Sequence, residues 1–307
     1  MTEFAIDACQ LGKAFPGGTV AVSGLDMQVA AGTVYGLIGR NGAGKTTAIR
    51  MLLGLLRPSA GTARILGANM WQAGRQHRAR VAYVSQEQHV HAWMTPRELC
   101  YYLSHFYERW DQPYAMRLAR RFDLAWDRQT GLMSGGEQRK VSILLALAAR
   151  PEVLILDEPA AGLDPIARRE LIDELVDILS RDGGCTVLLS THIISDLERI
   201  AEQVGIMDRG RIMTDARLDE LQKTFQRVQV VFDGRLPPDG FSVPGAIRSS
   251  TEGPVVTAVA CLLSETQLDE VRSIPGARVN VFPLGLEDMF IELLKPRGEA
   301  EAVEART

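Results

Sequence analysis

The sequence predicts a mixed α/β fold with a largely parallel sheet, a helical insert and a smaller α+β domain at the C-terminal end. Over the first two thirds of the chain, short apolar runs alternate with longer helical patterns, as in βαβ units. This alternation gives way to helical patterns at about residues 90–150, and prolines and glycines punctuate the chain beyond residue 225. We therefore expect a first domain over residues 1–222, a second over 223–296, and a disordered tail over 297–307.

Composition limits the classes of protein to which this chain can belong. Its 307 residues suffice for about two domains, and 46% hydrophobic with 23% charged residues is typical of globular proteins. With 34 Lys+Arg against 38 Asp+Glu, the net charge of −4 favours no nucleic-acid partner. We find no apolar run near the ~18 residues of a membrane span, no signal sequence and no CxxC pair among four cysteines. We therefore expect a soluble intracellular protein with reduced thiols.

The first domain contains five short apolar runs that are typical of buried strands in a parallel sheet. The first of them enters a glycine-rich turn, which a helix over Lys45–Leu53 follows. The expected strands are Val34–Ile38, Arg80–Ser85, Val153–Asp157, Thr186–Ser190 and Val204–Met207.

The insert begins with a strong helix start. Thr95 is a good N-cap, Pro96 suits the first helical position, and Glu98 completes a capping box. A second helix is expected over Tyr114–Phe122. After the insert, residues 208–211 predict a tight hairpin turn between two strands.

The second domain mixes strand and helix patterns between turn signals. A helix over Leu218–Phe225 precedes it. Its expected strands are Val228–Phe232, Val255–Leu262 and Arg278–Phe282, and its expected helices are Glu265–Ser273 and Leu286–Leu294.

Residues 39–46 match the phosphate-loop pattern G-x-x-x-x-G-K-[ST]. In such a loop, glycines let backbone N–H groups turn toward phosphate oxygens, and the following helix N-terminus adds partial positive charge. Lys45 would reach the β- and γ-phosphates, and Thr46 would offer its hydroxyl to Mg²⁺. The alternative is a plain glycine-rich turn, but the strand before it and the helix after it favour the phosphate loop.

The strand Val153–Asp157 ends in two carboxylates, Asp157 and Glu158. Mg²⁺ prefers oxygen ligands, so Asp157 suits a metal, while Glu158 would polarise a water that attacks the γ-phosphate. Alone, the pair is weak evidence because any exposed strand end can be acidic. Together with the phosphate loop it indicates nucleotide hydrolysis.

Residues 134–137, Ser-Gly-Gly-Glu, allow two interpretations that are compatible with each other. Ser134 and Glu137 form a capping box that opens a helix over Gln138–Ala149. The two glycines between them weaken a helix, however, and suit close backbone approach to an anion.

Together these residues resemble the ATP-binding cassette family over about residues 3–220. Residues 133–137, just upstream of the acidic strand, look like its signature motif. Gln86, at the end of a strand, is similar to the glutamine that contacts Mg²⁺ and senses the γ-phosphate. Residues 160–164 resemble the loop that crosses to the opposing subunit. His192 resembles the switch histidine, and Phe15 falls where the family places an aromatic ring against adenine, although such residues taken singly are usually structural.

The resemblance implies a P-loop NTPase fold of the ABC cassette type that binds ATP and Mg²⁺. The catalytic residues it implies are Lys45, Gln86, Glu158 and His192, and the implied metal ligands are Thr46, Gln86 and Asp157. The implied nucleotide contacts are Phe15, Gly39, Arg40, Asn41, Gly42, Ala43, Gly44, Lys45, Thr46 and Thr47, with Ser134, Gly135, Gly136 and Glu137 for the signature.

Three positions depart from the family pattern. Met133 replaces the usual Leu, Glu137 a common Gln, and Ala160 a frequent Ser. Glu137 adds negative charge near a tetra-anionic ligand, which would weaken nucleotide binding unless its carboxylate turns back into the helix cap.

The resemblance also implies partners. Because one ATP lies between the phosphate loop of one subunit and the signature of the other, a chain that carries both would form a homodimer that switches with ATP. The segment 285–290 is similar to one near the end of bacterial exporter ATPases, although it also suits a helix start. We expect an exporter with its permease on a separate chain, a cytoplasmic position at the inner face of the membrane, and no contact with the transported substrate.

Two other function classes compete with this interpretation. One is a cassette ATPase that acts on ribosomes or DNA, but such relatives usually carry two cassettes or a long coiled coil, and this chain has one phosphate loop and no heptad run. The other is a nucleotide-binding regulator without activity, which Glu158 and His192 disfavour.

An aromatic cluster at residues 93–110 has an open role. It contains Trp93, Tyr101, Tyr102, Phe106, Tyr107 and Trp110. These side chains would either fill the core of the helical insert or form a docking groove for a permease helix.

Overall fold

The computed structural model describes residues 4–87, 90–182, 184–233, 235–238, 240–261 and 263–294. The chain divides into an N-terminal unit, residues 1–215, and a C-terminal unit, residues 216–307. The tail predicted over 297–307 lies outside the described residues. Among the described helices, none has the length and apolar character needed to cross a membrane.

The N-terminal unit contains nine strands and seven α-helices in its described part. The strands are β1 (Phe4–Ala14), β2 (Val20–Ala30), β3 (Val34–Gly39), β4 (Ala60–Ile65), β5 (Val81–Val84), β6 (Val153–Asp157), β7 (Thr186–Thr191), β8 (Gln203–Asp208) and β9 (Arg211–Arg217). The helices are α1 (Lys45–Leu52), α2 (Arg75–Arg78), α3 (Pro96–Ser104), α4 (Gln112–Arg121), α5 (Gly135–Ala148), α6 (Pro165–Asp182) and α7 (Ile194–Leu197).

The central sheet has six strands in the order β5-β6-β7-β3-β8-β9. Strands β5, β6, β7, β3 and β8 pair in parallel, and all five match the predicted runs within one residue at each end. Strands β6 and β7 are buried along their whole length, as expected for the middle of a parallel sheet. The predicted hairpin joins β8 to β9 through Arg209 and Gly210, whose φ angles are 45° and 81°.

A second, antiparallel sheet in the order β2-β1-β4 was not among the expected elements. Apolar and polar residues do not alternate regularly along these strands, because the backbone itself is irregular. Gln10 has a φ of 47° at the point where the β1–β2 register shifts. Side chains such as Ile6 and Leu25 nevertheless share one apolar core with Leu37 of β3 and Ile49 of α1. This core holds α1, and with it the loop before α1, against both sheets.

The predicted cap of the first insert helix is present, and the second insert helix has a cap that was not predicted. Thr95 forms a capping box with Glu98 at the start of α3, and Asp111 accepts a hydrogen bond from Tyr114 N at the start of α4. Arg150 ties the end of α5 to α4, because its guanidinium pairs with Asp111 and stacks 3.6 Å from the centroid of the Tyr114 ring.

The C-terminal unit contains a helix α8 (Leu218–Thr224) and four strands, β10 (Phe225–Phe232), β11 (Ala246–Glu252), β12 (Val255–Cys261) and β13 (Ala277–Pro283). These strands form an antiparallel sheet in the order β11-β12-β10-β13. One face of the sheet forms an apolar core that includes Val228, Val230 and Val256. The strand β11 was not expected, since most of its residues are exposed and polar. The remaining described elements are the helices α9 (Glu265–Arg272) and α10 (Leu286–Leu294).

Gly54 ends helix α1 and offers a test of the packing. Its φ is 67°, and a Cβ there would lie 2.6 Å from the backbone of Met70 and Trp71. We expect Gly54→Ala to destabilise the fold by about 2–4 kcal/mol, which lowers Tm by roughly 5–10 °C in a thermal melt. Gly74→Ala is the control because its φ is −72° and no atom lies within 4 Å of the added methyl group. Equal melting temperatures for the two variants would contradict this account.

Candidate functional site

The parallel register brings three sequence motifs to one edge of the central sheet. Residue Ile38 of β3 pairs with Thr191 of β7, and Asp157 of β6 pairs with Ser190 of β7. Because parallel strands point their carboxyl ends the same way, the loop after β3, the acidic pair after β6 and His192 after β7 meet there.

Residues 40–46 of the phosphate loop line a cavity of about 260 Å³, and Gly39 is not among the described residues of its lining. Gly42 and Gly44 have φ angles of 81° and 108°, which suit glycine. The cavity is lined by Ala21, Arg40, Asn41, Gly42, Ala43, Gly44, Lys45, Thr46, Thr47, Gln86 and Glu158.

The outer side of the phosphate loop is held by its neighbours in the fold. Gly210 N donates a hydrogen bond of 2.8 Å to Ala43 O, and Ser23 N donates one of 2.8 Å to Gly210 O. A Cβ on Gly44 would lie 2.4 Å from the carbonyl oxygen of Ala21. The loop is therefore fixed from behind by β2 and by the turn between β8 and β9.

Lys45 is buried beside the loop. Its Nζ donates to Gly39 O at 2.6 Å and to Arg40 O at 3.4 Å, and it lies 3.2 Å from Glu158 Oε1. The contact with Glu158 is an ion pair without hydrogen-bond geometry. Removing one partner of such a buried pair leaves a buried, uncompensated charge, which is costly in free energy. Lys45 and Glu158 therefore stabilise each other at this position.

Glu158 connects Lys45 to His192. Its φ is 48°, in the left-handed region, which differs from the extended backbone of Asp157 before it. Its Oε2 accepts a hydrogen bond from His192 Nδ1 at 2.9 Å. The Glu158 backbone N–H donates to Ser190 O at 3.0 Å, which fixes the turn. The result is a continuous chain from a buried cation through a carboxylate to a half-exposed imidazole.

Asp157 fits a cation ligand. The Ser190 hydroxyl donates to Asp157 Oδ1, while Oδ2 is buried and makes no hydrogen bond within the described part of the chain. Burial and, to a smaller extent, the negative charge of Asp157 raise the pKa of Tyr83 to about 12. A buried carboxylate oxygen without a donor is the arrangement that an oxygen-seeking cation such as Mg²⁺ satisfies, and Thr46 and Gln86 on the cavity wall supply further oxygens.

The structure separates other predicted residues from this cavity. Phe15 is 38% exposed and lies under Lys13, whose Nζ is 5.3 Å from the ring centroid. Ser134 and Gly135 are exposed at the start of α5. Neither Phe15 nor residues 134–137 are among the described residues that line the cavity.

The Glu137 carboxylate turns back into the cap of α5. Its Oε2 accepts a hydrogen bond of 2.7 Å from Ser134 N, and Ser134 Oγ accepts one of 3.2 Å from Glu137 N. Arg128 Nη1 lies 3.9 Å from Glu137 Oε1. The backbone N–H of Ser134, followed by its hydroxyl, lowers the pKa of Glu137. The capping interpretation of Ser134 and Glu137 is therefore confirmed.

Two residues of the site, Ser190 and Ala21, were not expected from the sequence. Ser190, which holds Asp157, carries a weak signal as the polar residue at the end of an apolar strand. Ala21 lines the cavity through a strand that its sequence did not reveal.

Comparison with known proteins agrees with this geometry. The family model described as "ABC transporter" matches residues 22–161. The daunorubicin resistance ATP-binding protein DrrA2 of Streptomyces coeruleorubidus is 34% identical over 329 residues, which covers 99% of this chain and 100% of that protein. The Nod factor export ATP-binding protein I of Burkholderia orbicola is 32% identical over 284 residues, which covers 90% of this chain and 93% of that protein.

A solved structure of an ATP-binding subunit of an ABC transporter has the same fold. It superposes with a TM-score of 0.63 at 27% sequence identity, covering 71% of this chain and 92% of that chain.

The cap at Glu137 predicts a pH dependence. A carboxyl whose folded pKa is lowered stabilises the fold fully above its unfolded pKa, about 4.3, and loses that effect as pH falls through the folded value. Glu137→Gln keeps an acceptor but does not titrate. We expect the advantage in unfolding free energy of wild type over Glu137→Gln to shrink between about pH 6 and pH 3.5 in urea titrations. An advantage that is independent of pH would contradict the assignment.

Proposed function

This chain belongs to the ABC transporter family of ATPases, and on that premise we propose that it drives an exporter whose membrane permease is a separate chain. The relatives support this, because their names describe ATP-binding proteins of drug resistance and of Nod factor export, and they align with nearly the whole chain. Since these names refer to resistance and export, they favour the transporter over the ribosome or DNA alternative.

The observation that carries the proposal is the Lys45–Glu158–His192 chain at the mouth of the phosphate loop. The phosphates of ATP would enter the cavity of residues 40–46, where the loop backbone and the Lys45 ammonium stabilise their charge. Glu158 would accept a proton from the attacking water, and His192 would contact the γ-phosphate. With nucleotide bound, the Lys45 ammonium would contact phosphate oxygens, and its ion pair with Glu158 would weaken.

Thr46, Gln86 and Asp157 would hold Mg²⁺. When bound, Mg²⁺ neutralises charge on the β- and γ-phosphate oxygens. The buried Oδ2 of Asp157 supports this assignment, since within the described residues it makes no hydrogen bond. The Ser190 hydroxyl orients the carboxylate through its other oxygen.

We propose a homodimer with two ATP sites. The signature residues Ser134 and Gly135 are exposed and Gly136 is half-buried, and none of the three is among the described residues that line the cavity of their own chain. A second copy would therefore present them to the bound nucleotide. Because Glu137 is turned into the helix cap, its negative charge is directed at Ser134 N and Arg128 instead of at the ligand. Phe15, exposed at the end of β1, would stack on adenine.

The permease would dock on the aromatic groove lined by Trp93, Met94, Glu98, Tyr101, Tyr102, His105 and Phe106. This groove has a volume of about 530 Å³, and Trp93 and Tyr101 are 69% and 70% exposed. Such exposure favours docking over core filling for these two rings. In the sequence, the groove residues follow Gln86, so one stretch of chain carries both the groove and a residue of the ATP site.

Docking on a permease would also determine where the chain is located. The chain would sit in the cytoplasm at the inner face of the membrane, held through the permease, and would not touch the transported substrate. Residues 223–296 would serve as an accessory domain for dimerisation or regulation.

The role of Glu158 is tested by Glu158→Gln. Without a base, kcat for ATP hydrolysis should fall at least about 100-fold, while ATP still binds and the closed dimer accumulates. Steady-state ATPase assays and size-exclusion chromatography with ATP measure both effects. Glu252→Gln, at an exposed position of the C-terminal unit, is the control. Undiminished hydrolysis by Glu158→Gln would disprove the role.

The aromatic groove is tested by Trp93→Ser combined with Tyr101→Ser. Because both rings are largely exposed, the fold should persist, and co-purification with the permease from detergent-solubilised membranes should be lost. Trp71→Ser is the matched control, since Trp71 is 50% exposed and does not line the groove. Co-purification that survives loss of Trp93 and Tyr101 would contradict docking at this groove.

A further inference from the structure

Arg139 is a buried cation between the motifs of the site. It lies on α5 two residues after Glu137 and is only 2% exposed. Among the residues that the structure describes, no carboxylate lies within ion-pair distance of its guanidinium. Burial is also the main reason that the pKa of Arg139 is lowered, and the charge of Asp157 offsets part of that effect.

The hydrogen bonds of Arg139 go to the chain segment that follows β5. Its Nη1 donates to Ser85 O and its Nη2 donates to Gln86 O, both at 2.5 Å. The two nitrogens of one rigid, planar guanidinium therefore hold two successive carbonyls. The backbone of Gln86 is thus fastened to the helix that begins at the signature.

Helix α5 does not need Arg139 in order to pack against its neighbours. The helix already buries an apolar face that includes Val141, Ile143 and Leu144. A guanidinium buried without a carboxylate is costly, and its Nε makes no hydrogen bond among the described residues. An apolar side chain would fill the same position at a lower free-energy cost. Packing alone therefore does not explain an arginine at this position.

We propose that Arg139 is a positioning residue that couples Gln86 to the signature helix. This inference rests on the proposed function. When Gln86 moves toward nucleotide and Mg²⁺ in its own cavity, the two hydrogen bonds carry α5 along, and Ser134–Gly136 move with the helix. Each chain would then present its signature to the partner's nucleotide only when its own site is filled.

The test is a double-mutant cycle with Gln86→Ala and Arg139→Met on the full-length chain, read by steady-state ATPase kinetics. Arg139→Met alone should lower kcat roughly tenfold to hundredfold and leave KM for ATP nearly unchanged, because Arg139 is not among the described residues that line the cavity. In the Gln86→Ala background, Arg139→Met should cause no further loss. Arg139→Lys, which keeps the charge but reaches one carbonyl, should lose less.

Controls separate positioning from stability. Circular dichroism and Tm establish that each variant is folded, and Arg139→Lys takes the place of Arg139→Met in the cycle if the latter does not fold. Arg120→Met, at an exposed position of α4, should leave kcat unchanged.

Three results would overturn the inference while the proposed function stands: additive losses in the cycle, a wild-type kcat in a folded Arg139 variant, or a loss in KM instead of kcat. A wild-type chain that does not hydrolyse ATP with Mg²⁺ would contradict the proposed function itself, and the inference with it.

Discussion

The parallel register of β6, β7 and β3 is the constraint on which the rest of the site depends. Because Ile38 pairs with Thr191 and Asp157 pairs with Ser190, a loop, two carboxylates and a histidine from distant parts of the chain end at one edge. A slip of one residue would turn Asp157 to the opposite face of the sheet. The full burial of β6 and β7 opposes such a slip, so the hydrophobic core determines the geometry of the polar site.

Much of this could be predicted from sequence because the relevant signals are local. The strand before residue 39, the helix after Lys45 and the cap at Thr95 each follow from a few neighbouring residues, and all three are present. The antiparallel sheet escaped prediction because the irregular backbone at Gln10 breaks the period of two in β1. The β1–β2 pairing joins consecutive strands, but the β1–β4 pairing joins residues far apart in the chain, such as Ile6 and Ile65.

Within the site, the sequence pattern did not indicate two supporting side chains. Ser190 holds Asp157, and Arg139 holds the carbonyls of Ser85 and Gln86. Backbone carbonyls carry no sequence signal, so an arginine bonded to them looks like any polar residue on a helix. The role of Glu137 was left open for a similar reason: only the rotamer of its side chain decides whether its charge faces a ligand or the helix cap.

The support behind the phosphate loop has a thermodynamic consequence. Gly210 and Ala21 hold the outer side of the loop through backbone contacts that involve no ligand. Ordering one residue costs about 1–2 kcal/mol of conformational entropy, and here that cost is met during folding. Anion binding therefore proceeds without loop ordering, and more of the intrinsic interaction energy is retained as affinity. In the proposed homodimer, nucleotide capture by one chain would thus be separate from the rearrangement that brings the two chains together.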